Sequence, residues 1–210
     1  SRRTESRRRR WGAGELDRVL LCVSRVAAEK NLDLACKLFD QMIEQGKATA
    51  GIIVGDGPER ERLTQKYPRL LFPGCLNKTS LAEHYASADL FIFPSTTETF
   101  GNVVTEALTS GLPVIAYDYA APSEYIENGK NGFLSPLGDQ DSLKENLNFA
   151  LGMSGINQAI MSRKARESTK RADWNKIVAK FHRDLVEVSM ERPHSSNYPI
   201  TPTECIRVPA

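Results

Sequence analysis

The sequence predicts an α/β domain in three layers, a six-stranded parallel sheet with helices on both faces. Three observations carry that expectation. Short apolar runs alternate with stretches of helical periodicity along most of the chain. The runs are apolar at consecutive positions, as in strands covered on both sides, rather than alternating as in half-exposed strands. The turns that follow them gather glycines and charged residues, Arg25, Gly55, Gly74 and residues 95–101, at the strand ends where open parallel sheets bind ligands.

Taken in order, the first strand is predicted over residues 19–25 (VLLCVSR), and a helix over 30–45. That helix carries Leu32, Ala35, Leu38, Phe39, Met42 and Ile43 on one face and stops at Gly46. A strand over 51–54 enters the turn GDGPE, with Pro58 opening a helix over 58–67. The same alternation gives a strand at 69–72, a helix at 79–87, a strand at 90–93 ended by Pro94, and a helix at 102–110 stopped by Gly111. Strands at 113–117 and 132–135 flank a helix at 122–128, and helices at 140–151, 156–172 and 174–189 complete the pattern. The last of these bears the stripe Trp174, Ile177, Phe181 and Leu185. Residues 1–18 are expected to be a solvated basic linker between domains, 19–188 the domain itself, and 189–210, rich in Pro and Ser without periodicity, a mobile tail.

The most informative stretch is residues 90–113, LFIFPSTTETFGNVVTEALTSGLP. Glu98 lies in the loop after an apolar strand, and Glu106, eight positions on, about a turn into the next helix. Between them Gly101 lets backbone approach a ligand closely. The unsatisfied N–H groups at the start of that helix, from Asn102 and Val103, attract an anion. A loop carboxylate, a helix carboxylate and an anion hole can together hold a sugar attached to phosphate.

This stretch resembles the E-x-x-x-x-x-x-x-E signature of retaining glycosyltransferases of the GT-B fold, the large group 1 family. Further landmarks agree: Arg25 and Lys30 stand where the family has G-R-x-x-x-x-K-G, GDGPE follows the second strand, and Tyr85-Ala86-Ser87-Ala88-Asp89 precedes the fourth. Two positions depart from the pattern. Ser24 replaces the family's glycine before the Arg, and Ala120-Ala121 stands where many relatives carry Gly-Gly. The resemblance implies one Rossmann-like half of a GT-B enzyme, the half that binds a UDP- or GDP-linked sugar. It implies that Arg25, Lys30 and the helix start stabilise the leaving diphosphate, and that Glu98 holds the transferred sugar. It further implies that Glu106 accepts both ribose hydroxyls, that backbone from Phe100 through Gly101 and Asn102 to Val103 touches sugar and phosphate, that Leu76 frames the base, and that Gly55 lines the site. The acceptor half would precede Ser1, the acceptor would be a lipid or saccharide, and the half present here would transfer nothing alone.

Composition bounds the alternatives. At 210 residues and 40% apolar content the chain can bury a sizeable core. The net charge of +2 conceals six Arg against one Glu in residues 1–10, leaving 22 basic and 25 acidic groups beyond. With no aromatic interleaving in that arm, nucleic acid is not expected as a partner. The four cysteines, Cys22, Cys36, Cys75 and Cys205, lack C-x-x-C spacing, and the first two read as reduced core residues. A cytoplasmic location follows by default, with membrane association of the full-length enzyme where the acceptor is a lipid. No apolar run is long enough to span a bilayer. No P-loop occurs, His84, His182 and His194 are scattered, and G-x-G-x-x-G fails at Arg60. No metal and no cofactor are expected. A nucleotide-sugar epimerase and a non-catalytic nucleotide-sugar module are the rival readings. A phosphorylase would need a lysine for pyridoxal phosphate, and nothing in the sequence marks one.

Overall fold

The first strand shows how the sheet is built. In β1 (Val19–Val23), Leu20 and Cys22 point into one apolar cluster while Val19, Leu21 and Val23 point into another. A strand read this way has no solvent face, so helices must cover both sides. The structure, a computed structural model, describes residues 5–97 and 102–170. It contains β1, β2 (Ala50–Val54), β3 (Leu71–Gly74), β4 (Leu90–Phe93), β5 (Val114–Tyr117) and β6 (Gly132–Ser135). All neighbouring pairs are parallel, in the order β3-β2-β1-β4-β5-β6. This is the strand order of doubly wound dinucleotide-binding sheets, and its switch point lies between β1 and β4.

The helices are α1 (Glu5–Arg10), α2 (Leu32–Glu44), α3 (Arg60–Lys66), α4 (Lys78–Ser87), α5 (Asn102–Thr109), α6 (Ala121–Tyr125), α7 (Gln140–Leu151) and α8 (Gly155–Lys170). Phe39 and Met42 of α2, Leu63 of α3 and Leu143 and Leu147 of α7 fill one apolar cluster. Tyr85 of α4, Val104, Ala107 and Leu108 of α5 and Ala165 of α8 fill the other. The predicted Rossmann-like three-layer class is the observed one. Cys22 and Cys36 are buried, and burial pushes the Cys36 thiol up to about 12 and that of Cys22 higher still. Cys75 is exposed.

Several boundaries differ from expectation, each for a local reason. The helix predicted from residue 30 is broken in two. A 3-10 turn spans Ala28–Lys30, Asn31 takes a left-handed φ of 53°, and α2 starts only at Leu32. Helix α3 starts at Arg60 rather than 58, because the Glu59 N–H is drawn back to the Val26 carbonyl (3.1 Å). β3 lies two residues later than predicted and contains Pro73, which an edge strand tolerates. α6 ends at Tyr125, where buried Asn131 donates to the Tyr125 carbonyl (2.9 Å) and accepts from the Glu127 N–H (2.8 Å). The predicted helix at 174–189, its stripe from Trp174 to Leu185, and Cys205 lie outside the described residues.

Residues 5–18, expected as a solvated linker, are tied to the domain at a few points, with Arg8 and Ala13 buried. α1 packs on α4, with an Arg7–Glu83 ion pair and the Trp11 and His84 rings 5.2 Å apart. Arg8 is 2% exposed. Its guanidinium donates to the carbonyls of Gly14 (2.7 Å), Asp17 (2.7 Å) and Ser87 (2.8 Å) and to the Asp89 carboxylate (2.8 Å). The same Asp89 oxygen accepts the Val19 N–H at 2.9 Å. Apolar periodicity could not announce this contact, since its anchor is a charge.

Candidate functional site

The C-terminal ends of β1 and β4 lie side by side, and the segments leaving them are stitched together. Lys30 Nζ donates to the Thr97 carbonyl (3.0 Å), and Thr97 Oγ1 donates to the Glu29 carbonyl (3.2 Å). Asn31 Nδ2 reaches the Pro94 carbonyl (3.3 Å). Ser95 Oγ closes the loop on itself by donating to the Thr97 carbonyl (2.6 Å). Lys30 therefore sits in the 3-10 turn facing the β4 loop, not in the first turn of α2 as predicted.

On the other side, the turn after β1 is fitted to the turn after β2, backbone against backbone. The Ser24 N–H donates to the Val54 carbonyl (3.0 Å) and the Val26 N–H to the Asp56 carbonyl (2.9 Å). Gly55 has φ +133°, and a Cβ there would fall 1.9 Å from the Ser24 carbonyl oxygen. Only glycine permits that approach. Gly55 thus has a packing duty at the predicted site, and its N–H is taken by the Gly74 carbonyl (3.0 Å).

Arg25 stands on this fixed turn with its side chain 65% exposed, ion-paired with Glu29. Asp56, in the facing turn, contacts Arg60 (3.4 Å). A hydrogen bond to its own backbone N–H, and then the Arg25 guanidinium, hold the Glu29 carboxyl below the usual carboxylate range. Leu76 follows β3 and packs partly buried against the apolar cluster shared with α4 and α5. Asn102 begins α5 and is exposed, while Val103 is half-buried against the same cluster. Glu98, Phe100 and Gly101 lie outside the described residues.

Glu106 is exposed on α5, and its Oε2 accepts the Tyr85 hydroxyl at 3.0 Å. Sequence reasoning gave no site role to Asn31, Thr97 or Tyr85, although Tyr85 begins the landmark that precedes β4. Asn31 alone had a local signal, since Asn tolerates the left-handed conformation. At the end of β5, Ala120 adopts φ 52°, ψ −133°. That backbone region is costly for any residue with a Cβ, and strain of this kind gathers at functional sites. Among the described residues, no group of three His, Cys, Asp or Glu is arranged to hold a metal ion, and no helix is long and apolar enough to cross a membrane.

Arg25, Lys30 and the glycine-dependent turn at Gly55 thus lie at the strand ends beside the switch point of the sheet. The sequence family described as Glycosyl transferases group 1 matches residues 3–168. The chain belongs to this family. A sulfoquinovosyl transferase of Arabidopsis thaliana is 34% identical over 188 residues, covering 87% of this chain and 36% of the relative. A GDP-mannose-dependent alpha-mannosyltransferase of Mycobacterium tuberculosis is 40% identical over 139 residues, 66% of this chain and 35% of the relative. The chain spans about a third of the length of these relatives. Among solved structures, Anabaena HepE in complex with UDP-glucose superposes with a TM-score of 0.70 at 24% identity, over 87% of this chain and 52% of that one. The group 1 family thus accounts for the fold, a Rossmann-like domain of the kind found in GT-B glycosyltransferases.

Proposed function

We propose that this chain is the nucleotide-sugar-binding domain of a retaining, metal-independent hexosyltransferase that takes a UDP- or GDP-linked sugar. The observation that carries the reading is the stitching of the Arg25–Asn31 segment to the β4 loop at the switch point. It gathers cationic side chains where the sheet offers a ligand crevice. Arg25 and Lys30 neutralise the diphosphate, with the backbone N–H groups at the start of α5 beside them. Glu106 accepts the ribose hydroxyls, and Glu98 those of the transferred sugar. Asn102 and Val103 contribute backbone contacts to phosphate, with Phe100 and Gly101 alongside. Leu76 borders the base.

In this reading the reaction breaks the bond between the anomeric carbon and the diphosphate oxygen and forms one between that carbon and the acceptor's hydroxyl oxygen. Arg25 and Lys30 stabilise the charge that grows on that oxygen, and the departing phosphate takes the acceptor's proton on the same face. Groups aimed in advance at such charge are worth about a hundredfold or more in rate each. The acceptor, a lipid or saccharide, is held by a second domain, for which the relatives' greater length leaves room. Transfer requires both halves, because positioning donor against acceptor contributes about 7–11 kcal/mol. Membrane association and a cytoplasmic location belong to that whole enzyme.

Isothermal titration with UDP, GDP, ADP and their sugars tests the reading. One nucleoside diphosphate binds, equally in magnesium and in excess EDTA, while Glu98→Ala weakens only the sugar-linked form. A tenfold loss on chelation removes metal independence, and equal losses of both ligand forms remove Glu98 from the sugar. Steady glycosylation by residues 1–210 alone overturns the division into halves.

A further inference from the structure

Tyr85 is buried in every respect but one. Its residue is 3% exposed, and its ring lies tilted against Phe91 with centroids 5.8 Å apart. Its hydroxyl nevertheless ends on the carboxylate of an exposed residue, Glu106, 21 positions later and on another helix. Both ends of the contact are rooted in the same core. Tyr85 closes α4, and Glu106 rides on α5, whose Val104, Ala107 and Leu108 are fully buried. With the backbone of both helices fixed, the freedom left in the pair is the rotation of the Glu106 side chain. The phenol removes it.

An exposed glutamate has water for its solvation and does not need this bond for its own stability. The bond's effect falls on orientation. A hydroxyl donating to a carboxylate makes a charge-assisted contact with a directional preference. It occupies Oε2 and so fixes the angle at which the other oxygen is held. The donor is permanent, because burial first and then the Glu106 charge push the phenol's pKa well up, so it stays protonated across the working range.

Resting on the assignment of Glu106 to the ribose, we propose that Tyr85 is a positioning residue. It holds the Glu106 carboxylate by Oε2 so that Oε1 presents to the vicinal hydroxyls of a ribonucleoside diphosphate. Selection of ribose over deoxyribose then depends on a buried side chain that never touches the ligand. A freely rotating carboxylate would meet a single remaining hydroxyl nearly as well as a pair. A carboxylate fixed at one angle is matched to the pair.

The experiment is isothermal titration of the full 210-residue chain with UDP and GDP and with their 2′-deoxy counterparts, in the parent, Tyr85→Phe and Glu106→Ala. The parent prefers the ribo form by about tenfold or more, the worth of one charge-assisted hydrogen bond. Glu106→Ala loses that preference. Tyr85→Phe, which keeps the ring and removes only the oxygen, loses most of it while its affinity for the deoxy forms stays within about twofold. Each ratio is measured on one preparation, so any unfolded fraction cancels. General loosening of the site weakens both ligands alike, and that result overturns the proposal. If Glu106→Ala loses the preference and Tyr85→Phe keeps it, the proposal fails and the ribose assignment stands. If the parent shows no preference or binds neither nucleotide, or if Glu106→Ala keeps the preference, the ribose assignment itself falls and Tyr85 with it.

Discussion

Arg8 and Arg25 carry the same guanidinium into opposite surroundings. Arg8, in the arm before β1, is 2% exposed and spends its donors on three carbonyls and a buried carboxylate. Arg25, just past the end of β1, is 65% exposed at its side chain and meets one exposed partner, Glu29. The first is consumed by the fold. The second is held out on a rigid turn, with most of its donors turned to solvent. An Arg consumed by the fold and an Arg held out to solvent differ in what their donors are already doing, not in chemistry.

The sharpest way to break the comparison is Arg8→Ala. Removing one member of a buried pair leaves Asp89 charged and poorly compensated, at a cost of about 3–5 kcal/mol. Urea unfolding of the variant should show that loss, and a curve matching the parent would mean the arm contributes nothing to the domain. Gly55→Ala comes next. It sets a Cβ against the Ser24 carbonyl at an unfavourable φ, for about 2–4 kcal/mol in the same measurement. It should also weaken nucleotide binding, since the turn carrying Arg25 has to move. Arg25→Ala should reverse the pattern of Arg8→Ala. Its unfolding free energy stays within about 0.5 kcal/mol of the parent, while affinity for nucleoside diphosphate falls about tenfold or more. Glu29→Gln, which frees Arg25 from its carboxylate, should raise that affinity by no more than about fivefold. A fall instead would show that Glu29 orients Arg25 rather than competing for it.

The smallest effect lies in the arm's response to acid. His84 is 2% exposed and faces Trp11, and its Nδ1 lies 2.7 Å from the Ser80 carbonyl. Burial, the largest influence, and the nearby Arg7 hold its pKa below the ordinary 6.5, against the Ser80 carbonyl and Glu83. The unfolded chain therefore takes up this proton first as pH falls. The stability contributed by neutral His84 is complete above about 6.5 and is lost as pH drops through that value towards the folded one. Melting temperature measured between pH 7 and 5 should fall less steeply in His84→Phe than in the parent. Parallel slopes would remove His84 from the acid response.

What could be read in advance followed the type of interaction involved. Strands such as β4, apolar at every position and ended by Pro94, were legible to the residue because burial on both faces leaves no other pattern. Motif spacing singled out Arg25, Lys30 and Glu106; the structure places Arg25 and Lys30 in the segment after β1, with Lys30 bonded to the loop after β4, and Glu106 on α5. The Asn31 break, the Tyr85–Glu106 bond and the Arg8 anchor were not legible. The Asn31 break has only the weak local signal that Asn tolerates a left-handed φ; the other two join residues 21 and 81 positions apart, and such polar contacts have no periodicity. The shift of β3 past Leu70 has a local origin instead: the Leu70 N–H closes a turn to the Tyr67 carbonyl (3.1 Å).

The Arg8 anchor also bears on the order in which the chain acquires its structure. Arg8 is 81 residues ahead of its carboxylate partner, and Asp89 also joins its own N–H to the Val19 carbonyl and a side-chain oxygen to the Val19 N–H. Asp89 is therefore the knot at which the β1–β3 half of the sheet meets the β4–β6 half. During synthesis from the N-terminus, the arginine-rich arm emerges well before the residue that will neutralise it. It stays hydrated until β4 has closed that long loop onto β1. Within this domain the arm precedes β1 in sequence yet is fastened only through a residue just before β4, so its fastening reports that the two halves of the sheet have joined.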